Sequence, residues 1–380
     1  MLAISTAATT LFQFPIAVPE RFKPGTIGSE SIRNDQWHLQ YLRSVDANRI
    51  SNGSGVTVAV LDTGVDQHRD LNRNLLPGID LIPGSSRDDT RDLDSHGTSM
   101  AGLIAAHGID SKTGARGIAP AAKILPVKFK YGNRDGNSDD LAAAVEWATA
   151  HGADIINISV VSNPSIRLKN ALRTAIQSDV IVVAAAGNRP EDPGVGYPAL
   201  EEQVVAVGGI NRKGTHADIS VKGPEIDITA PAVEIYSTSI GNRYSKGTGT
   251  SGATAIVAGA AALVRSKYPY LPAAEVVHRL TATAVDKGPP GRDDEYGYGV
   301  IDLVAALTAD VPPLGFESAT AAPPSGGATS ASAQPAGGDG DRGAAARGWA
   351  TLGVIVAAGC GFLVWRRRRG ADDPPPRISR

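Results

Sequence analysis

Short apolar runs alternate with longer amphipathic or small-residue stretches from about residue 55 to residue 309. Each run is almost continuously apolar and rich in β-branched residues. This pattern is typical of strands in a parallel sheet that is covered on both faces. The predicted strands are 55–62, 121–129, 153–159, 180–188 and 203–210.

Helices are predicted in the intervals between these strands and after the last one. They cover 139–151, 165 to about 178, 251–267 and 272 to about 284. Ser138 is expected to cap the first helix, because Asp139 and Asp140 suit the positive first turn and Gly152 suits its end. The alternation predicts an α/β domain over 35–309 with one doubly wound, mostly parallel sheet. Functional loops of such sheets lie at the carboxyl ends of the strands.

The region after this domain has a different composition. Residues 310–347 are rich in Ala, Gly, Pro and Ser, which predicts a flexible linker without a core of its own. Residues 348–365 contain an uncharged apolar run with Trp349 and Trp365 at its ends, and four arginines follow at once. We expect a transmembrane helix over 348–365 and a basic cytoplasmic tail over 366–380, because cytoplasmic flanks carry the positive charge. A buried core helix is the alternative, which the arginines disfavour.

Residues 1–34 are interpreted as an N-terminal extension or a partial signal segment. An outside domain requires an export signal, yet residues 1–19 contain no Lys or Arg and so lack a basic n-region. One hypothesis is that this stretch is the end of a signal peptide that begins further upstream. The alternatives are a weak but complete signal, or a short extension lying on the domain.

Charge and cysteine content exclude several kinds of partner and site. The net charge of −2 gives no reason to expect a nucleic-acid partner. Cys360 is the single cysteine, so neither an internal disulfide nor a cysteine metal site can form. The acidic loops 85–94 and 132–140 could hold structural Ca²⁺, but solvated charge is the preferred explanation. We therefore predict no metal site and no cofactor.

Three polar residues stand at predicted strand or helix ends, in the order Asp, His, Ser. Asp62 closes the first strand in "VLDTGVD", His96 opens the helix in "DSHGTSMAG", and Ser251 opens the helix in "GTSGATAIVAG". Taken singly, each has an ordinary structural explanation as a turn former, a surface loop residue or a cap. Together they match the chain order of an orienting acid, a base and a nucleophile in one class of serine hydrolases.

These segments, with "VVAAAGN" at 182–188, resemble the four signature segments of the subtilisin-like serine peptidases. The resemblance covers about residues 35–307 and implies the same doubly wound fold. It implies that His96 takes the proton of Ser251 and passes it to the leaving amine, while Asp62 holds the imidazole in place. The expected partner is a peptide or protein substrate.

The resemblance also implies residues that bind the substrate. Asn188 would supply a side-chain donor to the oxyanion, beside the backbone N–H of Ser251. A peptide would bind as an added strand along Ser159, Val160 and Val161, and Gly187 would leave room beside the pocket for the P1 side chain. The family usually has Leu-Gly-Gly after the matching serine. Val-Val-Ser stands here, which is expected to narrow that pocket.

A second departure is Ala255, where the family usually has a proline four residues after the nucleophile. Alanine is compatible with an early helix position, so activity is expected to survive. No convincing prodomain is found in the sequence.

The arrangement of protease domain, linker, single span and basic tail resembles the mycosins, membrane-anchored subtilisin-like proteases associated with type VII secretion in actinobacteria. Mycosins generally also have extracytoplasmic cysteines and a clear signal peptide, whereas residues 1–347 here contain no cysteine and residues 1–19 contain no basic n-region. The predicted protein is a serine endopeptidase in the cell membrane with its catalytic domain outside. Its expected partners include the lipid bilayer and components of a type VII secretion system. The alternative is a catalytically silent scaffold of the same fold at a secretion complex.

Overall fold

The computed structural model describes residues 23–25 and 28–315, except for 88, 111 and 133–136. The predicted transmembrane helix at 348–365, the tail at 366–380, nearly all of the linker and residues 1–22 lie outside this part. Every element below belongs to one unit, Met1–Ser318. Among the described residues, no helix is long and apolar enough to cross a membrane.

Seven parallel strands form the central sheet, in the order β3-β4-β2-β5-β6-β7-β8. A small antiparallel sheet has the order β1-β10-β9. The strands are β1 (Lys23–Gly25), β2 (Thr57–Asp62), β3 (Ile79–Asp80), β4 (Lys123–Lys128), β5 (Ile155–Ile158), β6 (Ile181–Ala185), β7 (Val205–Ile210), β8 (Ile228–Pro231), β9 (Ile235–Ser239) and β10 (Arg243–Gly247). The chain enters the large sheet at β2 and builds outwards on both sides, so β2 lies at the topological switch point.

Helices cover both faces of the central sheet. They are α1 (Ile32–Asp35), α2 (Trp37–Tyr41), α3 (Ser44–Ile50), α4 (His96–Ala105), α5 (Ser138–Ala150), α6 (Ile166–Gln177), α7 (Thr250–Lys267), α8 (Ala273–Ala282) and α9 (Leu303–Thr308). Alternate residues of β2 serve the two cores: Val58 and Val60 pack on the side of α4 and α7, whereas Ala59 and Leu61 pack on the side of α5 and α6. This double burial explains why the strands are continuously apolar in sequence.

The small residues of α7 allow it to lie deep in the core. Ala255, Ala258 and Ala261 are fully buried there, and Gly259 closely approaches Ile118. The N-terminus of α7 is thereby held beside the carboxyl ends of β5 and β6, where Ser251 faces the predicted site. The full burial of Ala255 shows that alanine fits at this position, where the family usually has proline.

The short helices α1 to α3 fasten the chain before β2 to the main body. Gln36 donates from Nε2 to the carbonyls of Arg116 and Tyr236. Trp37 donates from Nε1 to the carbonyl of Val233 at 3.1 Å. Ile32 is fully buried, so the folded unit already includes residues ahead of the predicted domain start at 35.

The predicted doubly wound, mostly parallel sheet is confirmed, with strands shortened by a few residues at their ends. One predicted cap is wrong: Asn137, not Ser138, caps α5, because its Oδ1 accepts hydrogen bonds from the backbone N–H groups of Asp139 and Asp140. Ser165, the predicted start of the next helix, is the N-cap of α6, because its Oγ accepts from Leu168 N.

Candidate active site

Asp62 and His96 form the first part of the site, at the carboxyl end of β2. Asp62 is fully buried, while the His96 side chain is 16% exposed. Nδ1 of His96 lies 2.9 Å from Oδ1 and 2.8 Å from Oδ2 of Asp62. The backbone N–H of Thr63 also donates to Asp62 Oδ1, at 2.7 Å. The carboxylate thus fixes the orientation of the imidazole from behind.

The ionisation of Asp62 follows from competing effects. Burial alone raises the pKa of Asp62, but the charges of His96 and Lys130 and the hydrogen bonds from His96 and Thr63 outweigh it. The pKa of Asp62 is therefore lowered, and the group is ionised at neutral pH. An ionised acceptor requires a proton on His96 Nδ1, which leaves Nε2 to act as a base in the neutral imidazole.

Asp92 links the segment after Asp62 to the segment around His96 by hydrogen bonds, although the sequence analysis did not predict this role. Its buried carboxylate accepts from Thr63 Oγ1 at 2.9 Å, beside Asp62. It also accepts from the N–H groups of Asp94 and Ser95 and from the N–H and hydroxyl of Thr98, which surround His96. Ser95 adopts φ +91°, a left-handed conformation unusual for serine. The His96 loop is therefore held in a bent form by one carboxylate.

A close backbone approach also positions the start of α4. A Cβ on Gly97 would stand 2.1 Å from the carbonyl oxygen of Gly64. Only glycine allows the helix that begins at His96 to lie so near the end of β2. This contact contributes to the short separation of His96 and Asp62.

Ser251 occupies the first turn of α7. Its Oγ donates to the carbonyl oxygen of Ser159 at 3.0 Å, and Ser159 Oγ donates to the carbonyl of Ser251 at 3.1 Å. These reciprocal bonds join the N-terminus of α7 to the end of β5. A hydroxyl has one proton, so in this rotamer the proton of Ser251 is directed to Ser159 rather than to a base. The hydroxyl must turn away from Ser159 before this proton can pass to His96.

Asn188 follows β6 and faces the same helix start. Its Oδ1 accepts from the backbone N–H of Thr250 at 2.8 Å and from the Thr250 hydroxyl at 3.2 Å. Asp192 fixes the backbone of Asn188 by accepting from its N–H at 2.7 Å. Because the amide oxygen is engaged, the amide nitrogen is the group left to donate to a ligand. The N–H of Thr250 donates to Asn188 and that of Gly252 to the carbonyl of Gly249, which leaves the N–H of Ser251 as the donor of this first turn that can face a ligand.

A cleft of about 240 Å³ runs across these residues. Strand order gives its layout, since the ends of β4, β2, β5 and β6 lie side by side along the edge of the sheet. The cleft is lined by Asp94, His96, Lys130, Gly132, Ser159, Val160, Val161, Ala185, Gly187, Asn188, Glu191, Asp192, Ile219, Thr248, Gly249, Thr250 and Ser251. All predicted site residues except Asp62 are among them, and Asp62 lies behind His96.

The part of the cleft beyond β5 and β6 is narrow. A Cβ on Gly196 would lie 2.5 Å from Cγ1 and 2.9 Å from Cγ2 of Val161, so the valine side chain reaches across to the opposite backbone. Gly187 has φ +121°, and a Cβ there would stand 2.9 Å from Asp192 Oδ2. Val161 thus occupies space that a larger ligand side chain would need.

Lys130 is the second residue that sequence reasoning did not single out. It follows β4, lines the cleft and is only 7% exposed. The available signal was two lysines flanking Phe129 at the end of a buried strand, where charge is unusual. Among the described residues, no group of three or more His, Cys, Asp or Glu side chains is placed to hold a metal ion.

Comparison with known proteins extends this picture. The subtilase family model matches residues 53–299. Subtilisin DY of Bacillus licheniformis is 38% identical over 259 residues, which cover 67% of this chain and 91% of the relative. Subtilisin Savinase of Lederbergia lenta is 38% identical over 272 residues, which cover 71% of this chain and 97% of the relative.

Solved structures give a consistent result. MycP1 from Mycobacterium smegmatis is 28% identical with a TM-score of 0.65, and the match covers 77% of this chain and 91% of that one. The MycP3 protease from the type VII (ESX-3) secretion system is 34% identical with a TM-score of 0.64, covering 76% and 91%. Since the family model and the subtilisins both match across the α/β domain, this chain belongs to the subtilase family of serine endopeptidases.

Proposed function

We propose that this endopeptidase hydrolyses peptide bonds with Ser251 as nucleophile, His96 as general base and acid, and Asp62 as the orienting carboxylate. The observation that carries the proposal is the two-oxygen contact between buried Asp62 and His96, at 2.8 and 2.9 Å, in the cleft that Ser251 also lines. The contact fixes the tautomer that a base requires.

Catalysis begins when the Ser251 hydroxyl turns from Ser159 towards His96 Nε2. His96 accepts the proton as Ser251 Oγ attacks the substrate carbonyl carbon, and the imidazolium formed is stabilised by ionised Asp62. His96 then donates the proton to the leaving amine, and an acyl-enzyme forms on Ser251. Water, activated by the same imidazole, hydrolyses this ester and restores the enzyme.

The negative charge that develops on the carbonyl oxygen meets two donors. Asn188 Nδ2 is one, because its Oδ1 is engaged by Thr250. The backbone N–H of Ser251, in the first turn of α7, is the other. Both are held before the substrate arrives, so they stabilise the charge without reorganisation.

The substrate backbone lies beside Ser159, Val160 and Val161, as an added strand after β5. The P1 side chain then enters the space between this segment and Gly187, which Val161 narrows against Gly196. Small P1 side chains are preferred for this reason.

Cleavage of a peptide library by the full-length chain in neutral detergent, with products identified by mass spectrometry, tests this proposal. We expect internal cleavages with small residues at P1, and none with Ser251→Ala at matched concentration. Equal cleavage by both proteins would refute the assigned nucleophile.

We further propose that the enzyme is anchored in the cell membrane by residues 348–365, with its catalytic domain outside and residues 366–380 in the cytoplasm. The apolar run and the arginines after it support this orientation. A structural neighbour is described as an essential component of the type VII (ESX-1) secretion system, at 32% identity and a TM-score of 0.66. That likeness supports a role in processing linked to type VII secretion.

Orientation is tested in intact cells that express the chain with an epitope after Arg380. An added protease should digest the domain and leave the epitope protected, whereas an epitope accessible from outside contradicts the proposal.

The secretion role is tested by replacing the gene with one that encodes Ser251→Ala. Loss of substrate processing supports an enzymatic role, and an unchanged phenotype alongside a phenotype on deletion supports a scaffold.

A further inference from the structure

A buried lysine faces the cleft on the side of β4. Lys130 is 7% exposed, and its positive charge acts on buried Asp62, whose pKa it lowers. Lys128, two residues earlier, is also buried, but its Nζ lies 3.2 Å from Asp80 Oδ2. Buried ammonium groups are normally paired, because an uncompensated charge is costly to desolvate. Among the described residues Lys130 forms no such salt bridge, so its ammonium group is available to an acidic group that enters the cleft.

The position of Lys130 relative to the substrate follows from strand order. The P1 pocket lies beyond β5 and β6, where Val161 meets Gly196. Successive side chains of an extended peptide point in opposite directions. The P2 side chain therefore points away from that pocket, towards the ends of β2 and β4, where His96 and Lys130 line the cleft.

Asp94 lines the same region and carries the opposite charge. It is exposed, so water and salt screen its carboxylate, whereas the charge of Lys130 is screened far less. Glu191 and Asp192 lie on the far side, after β6. Asp62 is buried and ionised as well, but it lies behind His96, and Lys130 is the one Lys or Arg among the described residues that line the cleft.

We propose that Lys130 determines substrate specificity by binding an acidic side chain, aspartate or glutamate, at P2. The inference rests on the proposed function, since it requires a peptide bound along Ser159 to Val161. The carboxylate pairs with the Lys130 ammonium within the cleft and is shielded from solvent by the bound peptide. A charge-assisted hydrogen bond in such a place is stronger than a neutral one.

Matched internally quenched peptides test the inference. Each pair is built on one sequence cleaved by the wild type and differs only in Asp against Asn, or Glu against Gln, at P2. The full-length enzyme should favour the acidic member in kcat/KM by about 10- to 100-fold. The readout is the ratio of kcat/KM for the acidic peptide to kcat/KM for its amide counterpart. A variant that disturbs Asp62 or His96 lowers both values alike, so this effect cancels in the ratio.

The acid-to-amide ratio is measured for four variants and compared with that of the wild type. Lys130→Met should bring it to about 1, while Lys130→Arg, which keeps the charge, should retain a preference for the acid. Lys213→Met, an exposed lysine outside the cleft, should leave the wild-type ratio unchanged. Asp94→Asn should raise the ratio, because it removes a repelling charge.

A wild-type ratio near 1, a preference for basic P2 residues, or a ratio unaffected by Lys130→Met would overturn the inference. Each of these results requires cleavage and so leaves the endopeptidase proposal standing. Failure of the wild type to cleave either member of any pair would overturn the proposed function and, with it, this inference.

Discussion

Replacement of Asp92 by asparagine tests whether one buried carboxylate holds the catalytic loop. Oδ1 of Asp92 accepts three hydrogen bonds, from Thr63 Oγ1, Asp94 N and Ser95 N. Oδ2 accepts from the N–H and hydroxyl of Thr98. Asparagine can keep the first three, but its NH₂ group then faces the Thr98 N–H, so two donors meet.

The cost can be worked from this geometry. The Thr98 hydroxyl can turn to accept from the new amide, but the backbone N–H loses its acceptor in a buried place. One orphaned buried donor costs about 1–3 kcal/mol, and the loss of the charged acceptor weakens the other bonds. We expect a loss of about 2–3 kcal/mol, and for a domain of this size a fall in Tm of about 3–5 °C.

Activity should fall as well, because the loop carries His96. Displacement of a catalytic group by about 1 Å costs about 100-fold in rate, so we expect kcat to drop by at least tenfold with a smaller change in KM. Thermal unfolding by calorimetry and steady-state kinetics on one peptide measure both effects. Asp94→Asn, an exposed neighbour, is the matched control and should change Tm by little. A variant with wild-type Tm and kcat would refute the reasoning.

The loss of stability in Asp92→Asn should depend on pH. Burial raises the pKa of Asp92, against the opposing hydrogen bonds from Thr98 and its other donors. The folded state therefore binds the proton more tightly than the unfolded state, whose pKa is about 3.9. The stability that this bound proton contributes is fully present below the pKa of Asp92 in the unfolded state. It is lost as the pH rises through that pKa to the raised pKa of the folded state. The Tm deficit of Asp92→Asn should thus be larger near pH 4 than near pH 7, and a deficit that grows with pH would contradict the shift.

Two further substitutions test the substrate side of the site. Asn188→Ala removes one oxyanion donor, and we expect kcat to fall about 100- to 1,000-fold, a range measured in a subtilisin, with little change in KM. A fall seen only in KM would contradict the assigned role. Val161→Gly clears the space against Gly196, so kcat/KM for Phe over Ala at P1 should rise by about tenfold or more. An unchanged ratio in a peptide series would show that Val161 does not limit the pocket.

The central sheet and the main residues of the site were predictable from the sequence. Near-continuous apolar runs gave β2, β4, β5, β6 and β7, and carboxyl ends of parallel strands meet at one edge. That rule put Asp62 and Asn188 at the same edge of the sheet, although they are far apart in the chain, and the resemblance to the family suggested their roles. Small residues around Ser251 likewise predicted a helix that could lie deep in the core.

Other features depended on contacts that sequence patterns do not encode. In the small sheet, β9 and β10 form a hairpin and β1 joins it from a distant part of the chain; the residues of all three are largely polar, so periodicity predicted none of them. Asp92 looked like one acid among several in an acidic loop, and only its burial reveals its five bonds. The direction of the Ser251 hydroxyl, towards Ser159, is a rotamer choice that depends on the local packing.

Labelling of the full-length chain with a fluorophosphonate probe tests the central claim most directly. The probe reacts with a serine hydroxyl only when a base activates it and donors stabilise the developing charge. We predict one adduct, located on Ser251 by mass spectrometry, and its absence from Ser251→Ala. Asp62→Asn should label more slowly by about 10,000-fold, as expected for an imidazole held in the wrong tautomer. A folded wild-type protein that remains unlabelled, or an adduct on another serine, would contradict the account.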